Sequence, residues 1–123
     1  MTWAGKTFVT DRPYTPNAGD FIWTDFDPRT GREQAGRRPA LVLSPIEFNM
    51  LSGFAVVCPI TSRIHNFGTS VILPAGLVVS GEILTSHVRS IDTTARPVRY
   101  AGGKAPHATL ADVRAKLAAI CEI

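Results

Sequence analysis

The chain has few features that would crosslink it or hold it in a membrane. Its 123 residues include only 2 cysteines, Cys58 in an apolar run and Cys121 near the C-terminus, so a disulfide framework is not expected. No apolar run approaches the roughly 18–20 residues that cross a bilayer, and the start does not resemble a secretion signal. We therefore expect a cytoplasmic protein that does not contact a membrane.

Common catalytic signatures are also missing. The 3 histidines and 2 cysteines lack the spacing of a zinc site, and Asp25 and Asp27 are better interpreted as turn and strand-end carboxylates than as cation ligands. Neither Gly-x-Ser-x-Gly nor Gly-x-x-x-x-Gly-Lys occurs, and Cys58 lies where a thiolate would be unfavourable. These absences argue against a metal or another cofactor, against covalent hydrolysis and against nucleotide hydrolysis.

What remains is the composition of one small folded domain. Hydrophobic residues make up 45% of the chain and charged residues 19%, while 9 prolines and 10 glycines indicate many turns and short strands. Residues 1–18 show no sustained periodicity, so we interpret them as an N-terminal arm whose order the sequence leaves open. Residues 19–123 are predicted to form the single domain.

Short apolar segments between turn residues predict a mainly β fold. The predicted strands cover residues 21–26, 40–43, 54–60, 70–73, 82–85 and 88–92. The third of these strands is expected to end or bulge at Pro59, which cannot donate a ladder hydrogen bond.

Two helices are predicted as well. The segment 44–47 combines the hydroxyl cap, proline and carboxylate of a helix start, and Gly53 ends that short helix. Apolar residues at helical spacing predict a C-terminal helix over residues 109–120, with Thr109 and Asp112 as its cap. Together these elements favour a small, partly open β-barrel with a short helix after strand 2 and a helix at its end.

Positive charge is concentrated in loops, although the net charge is only +3. The loop over residues 28–38 carries four guanidinium groups and one carboxylate, from Arg29, Arg32, Arg37, Arg38 and Glu33. Guanidinium forks match phosphate oxygens, and the flanking strands fix the ends of the loop. A second basic group comprises Arg89, Arg96, Arg99 and Lys104. This distribution indicates a polyanion or an acidic peptide as partner, with scattered solubilising charge as the alternative.

Phosphodiester cleavage with a nucleophile borrowed from RNA suits these residues. The RNA 2′-hydroxyl lies beside its own phosphate, so a protein has to align it, stabilise the charge on the phosphorane and assist proton transfer. Arg38 directly precedes Pro39 and a strand, and Thr61 follows the Pro59 strand, so we predict that Arg38 and Thr61 clamp the phosphate. Taken alone, Arg38 could also be a surface arginine that covers the strand, and Thr61 and Ser62 could form a turn that bonds its own backbone.

Several multi-residue segments resemble the MazF/PemK family of toxin endoribonucleases. They are Gly19-Asp20-x-Ile22-Trp23, Asp25-Phe26-Asp27-Pro28, Glu33-Gln34-Ala35-Gly36-x-Arg38-Pro39-Ala40, Val42-Leu43-Ser44-Pro45 and Cys58-Pro59-x-Thr61-Ser62. The resemblance implies an SH3-like barrel of the CcdB/PemK type, a homodimer, and the toxin half of a type II toxin–antitoxin pair. A cognate MazE-like antitoxin would lay an extended acidic segment over the basic groove.

The resemblance also implies a reaction and its residues. Such toxins cleave single-stranded RNA, including mRNA, at short sequences without metal, leaving 2′,3′-cyclic phosphate and 5′-hydroxyl ends. The family's essential arginine and threonine fall on Arg38 and Thr61. A loop glutamate that matters in some members falls on Glu33, which is otherwise interpreted as an ion-pair partner of the loop arginines.

One departure from the family concerns proton transfer. Many members carry an Asp-Gln pair before the sixth strand, where this chain has Ser86 and His87. Ser86 cannot serve as a carboxylate base, so the identity of the general base stays open. His87 becomes a candidate for proton transfer or for a contact to an RNA base.

The loops over residues 28–38 and 61–69 are expected to read the RNA by stacking and by contacts to base edges. The residues predicted to bind RNA are Arg29, Gln34, Arg37, Ser62, Arg63, His65, Asn66 and His87. Two other functions remain open, a gyrase poison on the same barrel, as in CcdB, and a catalytically silent RNA- or peptide-binding module. Against the first, the chain ends in Cys121-Glu122-Ile123, whereas CcdB-type chains end in Trp-Gly-Ile.

Overall fold

The computed structural model describes residues 14–26 and 37–123. The strands are β1 Asp20–Asp25, β2 Arg37–Val42, β3 Phe54–Thr61, β4 Val71–Ile72, β5 Glu82–Ile83, β6 Arg89–Asp92 and β7 Val98–Lys104, and the helices are α1 Ile46–Ser52 and α2 His107–Cys121. A short 3-10 turn spans Thr85–His87. The mainly β prediction, with one short helix after β2 and one at the C-terminus, is confirmed. Within these residues no helix has the length and apolarity of a membrane span.

The strands form one antiparallel sheet in the order β4-β5-β3-β2-β1-β7, and β6 pairs with β3 beside this path. β3 is the central strand, because β2 lies along one edge while β6 and then β5 share the other. Among the described strands, β4 and β7 are the two ends of the path, so the barrel is open, as predicted. This topology places the end of β2 next to the end of β3.

Both faces of the sheet are buried. Successive strand residues point to opposite faces, so one strand contributes to both clusters. Phe21 belongs to one buried cluster and Ile22 to the other, and the same alternation separates Leu41 from Val42. Helix α2 covers the first face, since its Val113 is fully buried in that cluster. Burying side chains of this size stabilises the fold by about 1.5–3 kcal/mol each.

β3 continues through Pro59 to Thr61, so the prediction that it ends or bulges at Pro59 is wrong. The carbonyl of Pro59 accepts the N–H of Leu84 at 2.9 Å. The N–H and C=O of a strand residue point to the same side, so the missing N–H of Pro59 faces the edge where β3 changes its partner from β6 to β5. No ladder donor is needed at that point, and the strand tolerates the proline.

Both helices begin differently from the prediction. Ser44 does not cap α1; its hydroxyl donates to Oδ1 of the buried Asn49 at 2.6 Å and accepts the N–H of Val56 at 2.8 Å. Thr109 does not cap α2, which begins at His107 after Pro106, and Thr109 itself is buried. The Ser44 hydroxyl is thus used for tertiary contacts, and in both helices a proline precedes the first helical residue. The predicted end of α1 at Gly53 is confirmed, with Gly53 at a φ of +77°.

The strands of the second half are shorter than predicted, and one was not predicted. β4 and β5 have two residues each. β5 is short because the chain turns into the 3-10 segment soon after it. β7 was not predicted because it is largely exposed and contains two glycines. Its extended conformation comes from pairing with β1, where Tyr100 lies opposite Ile22.

The described part of the N-terminal arm packs on the domain. The Tyr14 hydroxyl donates to the carboxylate of Asp20, and the Asn49 amide donates to the carbonyl of Pro16 at 2.8 Å. Asn17 Oδ1 accepts the N–H of Ile46 at 3.0 Å. Residues 14–18 are thus tied to β1 and α1, while a domain boundary at residue 18 stays a prediction.

Candidate active site

A cleft of about 610 Å³ opens where the start of β2, the end of β3 and the segment before β5 meet. Its lining residues are Trp23, Arg37, Arg38, Pro39, Ile60, Thr61, Ser62, Arg63, Val78, Val79 and Ser80. The set includes both predicted clamp residues and three of the residues predicted to bind RNA. Residues far apart in the sequence therefore meet around one concave surface.

Arg38 and Thr61 lie on neighbouring strands at the same level. β2 and β3 pair with Ala40 opposite Pro59 and Leu41 opposite Cys58. The paired residues end at Ala40 and Pro59, and the same register continued by two residues would set Arg38 opposite Thr61. Directly opposed residues project to the same face of a sheet. Because both also line the cleft, an exposed guanidinium and a half-buried hydroxyl can approach one bound group.

The Thr61 hydroxyl also forms the turn that leaves β3. Its oxygen accepts the N–H of Arg63 at 3.1 Å, so the alternative that Thr61 bonds its own backbone is observed. A hydroxyl that accepts a hydrogen bond still has its own hydrogen to donate. The turn therefore fixes the oxygen of Thr61 and leaves its donor available to an anion in the cleft.

Gly81 allows the segment before β5 to pack closely against Thr61. A Cβ at this position would collide with the carbonyl oxygen of Thr61, and Gly81 has a φ of +127°, which side chains rarely adopt. The floor of the cleft beside Thr61 therefore requires glycine.

A second, smaller cleft of about 180 Å³ continues the first across β1 towards β7. The two clefts share Trp23 and Arg37, and Arg99 lines the second. The combined groove exposes the guanidinium groups of Arg37, Arg38, Arg63 and Arg99 around the half-buried ring of Trp23. Cations beside an aromatic ring suit a phosphate backbone with unstacked bases.

The rest of the second basic group does not reach this groove. Arg96 donates to the carbonyls of Asp25 and Phe26, and Lys104 pairs with Asp20 at 2.6 Å. The guanidinium of Arg89 lies 5.5 Å from the centre of the Phe26 ring. Of that group only Arg99 joins the groove; the other three have local structural contacts.

Three predicted residues of the described part of the chain, His65, Asn66 and His87, are not in the cleft lining. His65 and Asn66 are exposed on the loop after β3, and His87 is exposed on the 3-10 turn. Arg29, Glu33 and Gln34 lie outside the described residues. Their roles stay predictions.

Sequence reasoning missed Glu82, a fully buried carboxylate beside the cleft. It accepts the N–H groups of His65, Asn66 and Phe67 at 2.6, 3.1 and 3.0 Å and the hydroxyl of Ser70. The Ser70 hydroxyl and these N–H groups lower the pKa of Glu82 to about 2. The one signal in the sequence was an acidic residue directly before the apolar pair Ile83-Leu84.

Trp23 was also missed as a groove residue, because an aromatic residue within an apolar strand is more often part of a core or a dimer contact. It lies opposite Pro39 on one side and Arg99 on the other, which places its ring between the two clefts. This position follows from strand pairing, which local sequence does not reveal.

The two cysteines do not line the groove, whereas Asp25 lines its second cleft beside Arg37 and Arg99. Burial raises the pKa of the Cys58 thiol to about 12, so it stays protonated inside β3, and both Cys58 and the exposed Cys121 are free. In the described ranges no three His, Cys, Asp or Glu side chains group closely enough to hold a metal ion.

Comparisons with known proteins agree on one family. Residues 17–121 match the family described as PemK-like, MazF-like toxin of type II toxin–antitoxin system. The endoribonuclease toxin MazF of Escherichia coli strain K12 is 42% identical over 93 residues, which span 76% of this chain and 83% of MazF. A crystal structure of MazF from Deinococcus radiodurans superposes with a TM-score of 0.81 at 44% identity, covering 90% of this chain and 100% of that one. A MazE–MazF complex from the same organism gives a TM-score of 0.79 at 40% identity, covering 90% and 99%.

Proposed function

This chain belongs to the PemK-like, MazF-like family of toxins from type II toxin–antitoxin systems, and we propose that it is an endoribonuclease that cleaves single-stranded RNA, including mRNA, in the cleft at the end of β3. The observation that carries the proposal is that Arg38 and Thr61 line one cleft together with further arginines. A phosphodiester seated there would meet a planar cation and a hydroxyl donor together.

The reaction uses the nucleophile of the substrate. The RNA 2′-oxygen forms a new bond to phosphorus while the bond to the 5′-oxygen breaks, leaving a 2′,3′-cyclic phosphate and a 5′-hydroxyl. Arg38 and the donor of Thr61 stabilise the extra charge on the phosphorane, and the groove aligns the strand for in-line displacement. This chemistry needs no metal ion.

One proton has to leave the 2′-hydroxyl, and one has to reach the 5′-oxygen. We assign Glu33 to the catalytic set for this purpose, because it precedes Arg38 on the same loop and aligns with the family's loop glutamate. Ser86 cannot act as the base. His87 is the second candidate for this proton transfer.

The groove also indicates the partners. A MazE-like antitoxin would cover the four exposed guanidinium groups with an extended acidic segment, as suits the basic groove and the MazE–MazF complex named above. We further propose a symmetric homodimer in the cytoplasm.

The decisive experiment incubates the purified protein with a long single-stranded RNA in EDTA. We expect discrete fragments that end in cyclic phosphate. Arg38→Ala should slow cleavage at least about 100-fold, because one preorganised donor to the transition state is lost. Thr61→Val, which keeps the shape of the side chain and removes the hydroxyl, should also slow cleavage.

The matched control is Arg114→Ala. Arg114 lies on α2, donates to the carbonyl of Leu43 at 3.2 Å and does not line the groove, so its loss should leave cleavage unchanged. Intact RNA with trapped gyrase–DNA complexes would indicate a CcdB-like poison, and intact RNA with binding alone a silent module. Cleavage that requires Mg²⁺ would contradict the metal-free mechanism.

The two proton-transfer candidates are separated by pH profiles. If Glu33 is the base, Glu33→Gln removes the acidic limb of the rate profile and lowers the plateau. If His87→Ala cleaves at the parent rate between about pH 5 and pH 9, His87 has no part in the reaction.

A further inference from the structure

The loop that leaves the cleft is organised around the buried carboxylate of Glu82. One carboxylate oxygen accepts the N–H groups of His65 and Asn66, and the other accepts the N–H of Phe67 and the hydroxyl of Ser70. Three successive amides can point at one anion because Asn66 takes a positive φ of 57°, which forms a concave nest of N–H groups. All four bonds come from residues 65–70.

The carboxylate and the loop conformation depend on each other. Glu82 has no exposed surface, and a buried charge is unfavourable unless hydrogen bonds or an ion pair compensate it. Among the described residues the one ion pair is Lys104 with Asp20, so the compensation for Glu82 comes from the loop. Conversely, without the carboxylate the three amides would lose their common acceptor.

The loop is held at its far end as well. Lys116 of α2 donates to the carbonyl of Gly68 at 3.1 Å and to that of Ser70 at 3.3 Å. The near end is fixed because Thr61 lies opposite Glu82 in the β3–β5 ladder. An exposed loop that leaves the cleft is therefore anchored at its start, centre and end.

The anchored loop presents groups suited to RNA bases. The rings of His65 and Phe67 are stacked, with centroids 5.0 Å apart and an angle of 11° between their planes, and both side chains are exposed. They follow Arg63, which lines the cleft. Exposed aromatic faces next to a phosphate-binding groove are the groups on which splayed bases stack.

We propose that Glu82 is a positioning residue for RNA recognition, which holds the loop over residues 63–70 in the one conformation that places its side chains against bases flanking the cleaved bond. The inference rests on the proposed endoribonuclease function and deepens it. A preorganised loop lowers the entropy lost on binding, so Glu82 should influence KM and site preference much more than the chemical step.

The test compares Glu82→Gln with Asp92→Asn. Asp92 lies at the other end of β3, and its single oxygen Oδ1 accepts the two amides and the hydroxyl of its turn, so asparagine retains the acceptor. In Glu82 the donors are divided between both oxygens, so the NH₂ group of glutamine faces either the N–H groups of His65 and Asn66 or the N–H of Phe67. The two substitutions remove the same charge and differ in what they do to the loop.

Cut sites are first mapped in a long RNA with the wild-type protein. Steady-state kinetics are then measured on an oligoribonucleotide that contains the preferred site and on versions with one flanking base changed. For Glu82→Gln we expect KM to rise about tenfold, kcat to change little, and the preference for the original flanking bases to fall. Asp92→Asn should match the wild type in all three quantities.

The experiment distinguishes a failure of the proposed function from a failure of this inference. If the wild-type protein cleaves no RNA, the proposed function fails, and the inference falls with it. If the wild type cleaves while a folded Glu82→Gln protein retains its KM and site preference, or loses kcat alone, the inference is wrong and the function stands.

Folding is monitored by denaturation and by hydrogen exchange at the amides of residues 65–67. If Glu82→Gln does not fold, Ser70→Ala replaces it, since this change removes one donor to the carboxylate and leaves the three amides. A smaller rise in KM with the same loss of preference supports the inference. A Ser70→Ala protein with the KM and site preference of the wild type overturns the inference.

Discussion

The two ends of β3 have similar local chemistry and different roles. At the first end, Asp92 lies opposite Phe54 and accepts hydrogen bonds from the turn at Thr94 and Ala95. At the other end, Glu82 lies opposite Thr61 and accepts hydrogen bonds from the loop after the cleft. Asp92 is only half-buried, whereas Glu82 has no exposed surface. A partly exposed carboxylate thus finishes a short turn, whereas a fully buried one holds a whole loop.

The same contrast holds for two glycines with positive φ. Gly53 directly precedes β3 and ends α1, and a Cβ there would lie 3.5 Å from the Cγ2 of Thr94, an ordinary contact distance. Gly81 packs against the last residue of β3, where a Cβ would meet backbone. Only the glycine at the cleft end is required for space as well as for its backbone angle.

Of the changes that test the difference between the two ends of β3, we expect Gly81→Ala to have the largest effect. The backbone of Thr61 or of residue 81 would have to shift, which should lower the free energy of unfolding by about 3 kcal/mol or more. Because Thr61 moves with it, RNA cleavage should fall steeply. Denaturant unfolding and the cleavage rate at a mapped site measure the two effects.

Gly53→Ala is the matched control for that change. An alanine at position 53 is strained only by the positive φ. We therefore expect the free energy of unfolding to fall by about 1 kcal/mol and cleavage to continue at the wild-type rate. If both alanine variants lost the same stability and retained activity, the close approach of Gly81 to Thr61 would have no functional role.

Acid should affect the cleft end of β3 more than the other end. Hydrogen bonds from Ser70 and the loop amides lower the pKa of Glu82 from 4.5 to about 2, and hydrogen bonds from Thr94 lower that of Asp92. A carboxylate with a lowered folded pKa stabilises the fold fully above its unfolded pKa and loses this contribution as the pH falls through the folded value. The stabilisation by Glu82 should therefore disappear between about pH 4.5 and pH 2.

The measurement is the difference in unfolding free energy between the wild type and Glu82→Gln, followed from neutral pH downwards. This difference should shrink across that window, and the corresponding difference for Asp92→Asn should be smaller throughout. A difference for Glu82→Gln that stayed constant down to pH 3 would contradict the assigned pKa.

The smallest effect is expected for Lys116→Met, which keeps the apolar stem and removes the ammonium group. Its hydrogen bonds to the carbonyls of Gly68 and Ser70 are partly exposed, so their loss should lower the free energy of unfolding by no more than about 1 kcal/mol. Cleavage should be within a few-fold of the wild type, because Glu82 still holds the centre of the loop. An effect on KM as large as that of Glu82→Gln would make Lys116 the main anchor instead.

Much of the fold was predictable because its signals are local. The apolar runs of β1, β2 and β3, the stop at Gly53 and the helical spacing before the C-terminus each depend on neighbouring residues. β7 was missed because Arg99, Tyr100 and its glycines have no strand pattern of their own. Its conformation is imposed by pairing with β1.

The site was predictable in part. Arg38 and Thr61 were predicted as the phosphate clamp from the segments around Pro39 and Pro59 together with the family resemblance, and the structure brings both to one cleft. In the second basic group, Arg96 and Lys104 each form a separate local contact and do not reach the groove. Charge counts along a sequence do not show which cations are already engaged.

Local sequence signals specify the β-rich domain, its two helices, its family and the residue types available for phosphate binding. The pairing of β2 with β3, the meeting of Arg38 and Thr61 in one cleft and the burial of Glu82 beneath the loop over residues 65–67 follow from tertiary contacts alone. The physical reason is range: propensity and periodicity act over a few residues, whereas strand register and burial depend on contacts between distant parts of the chain.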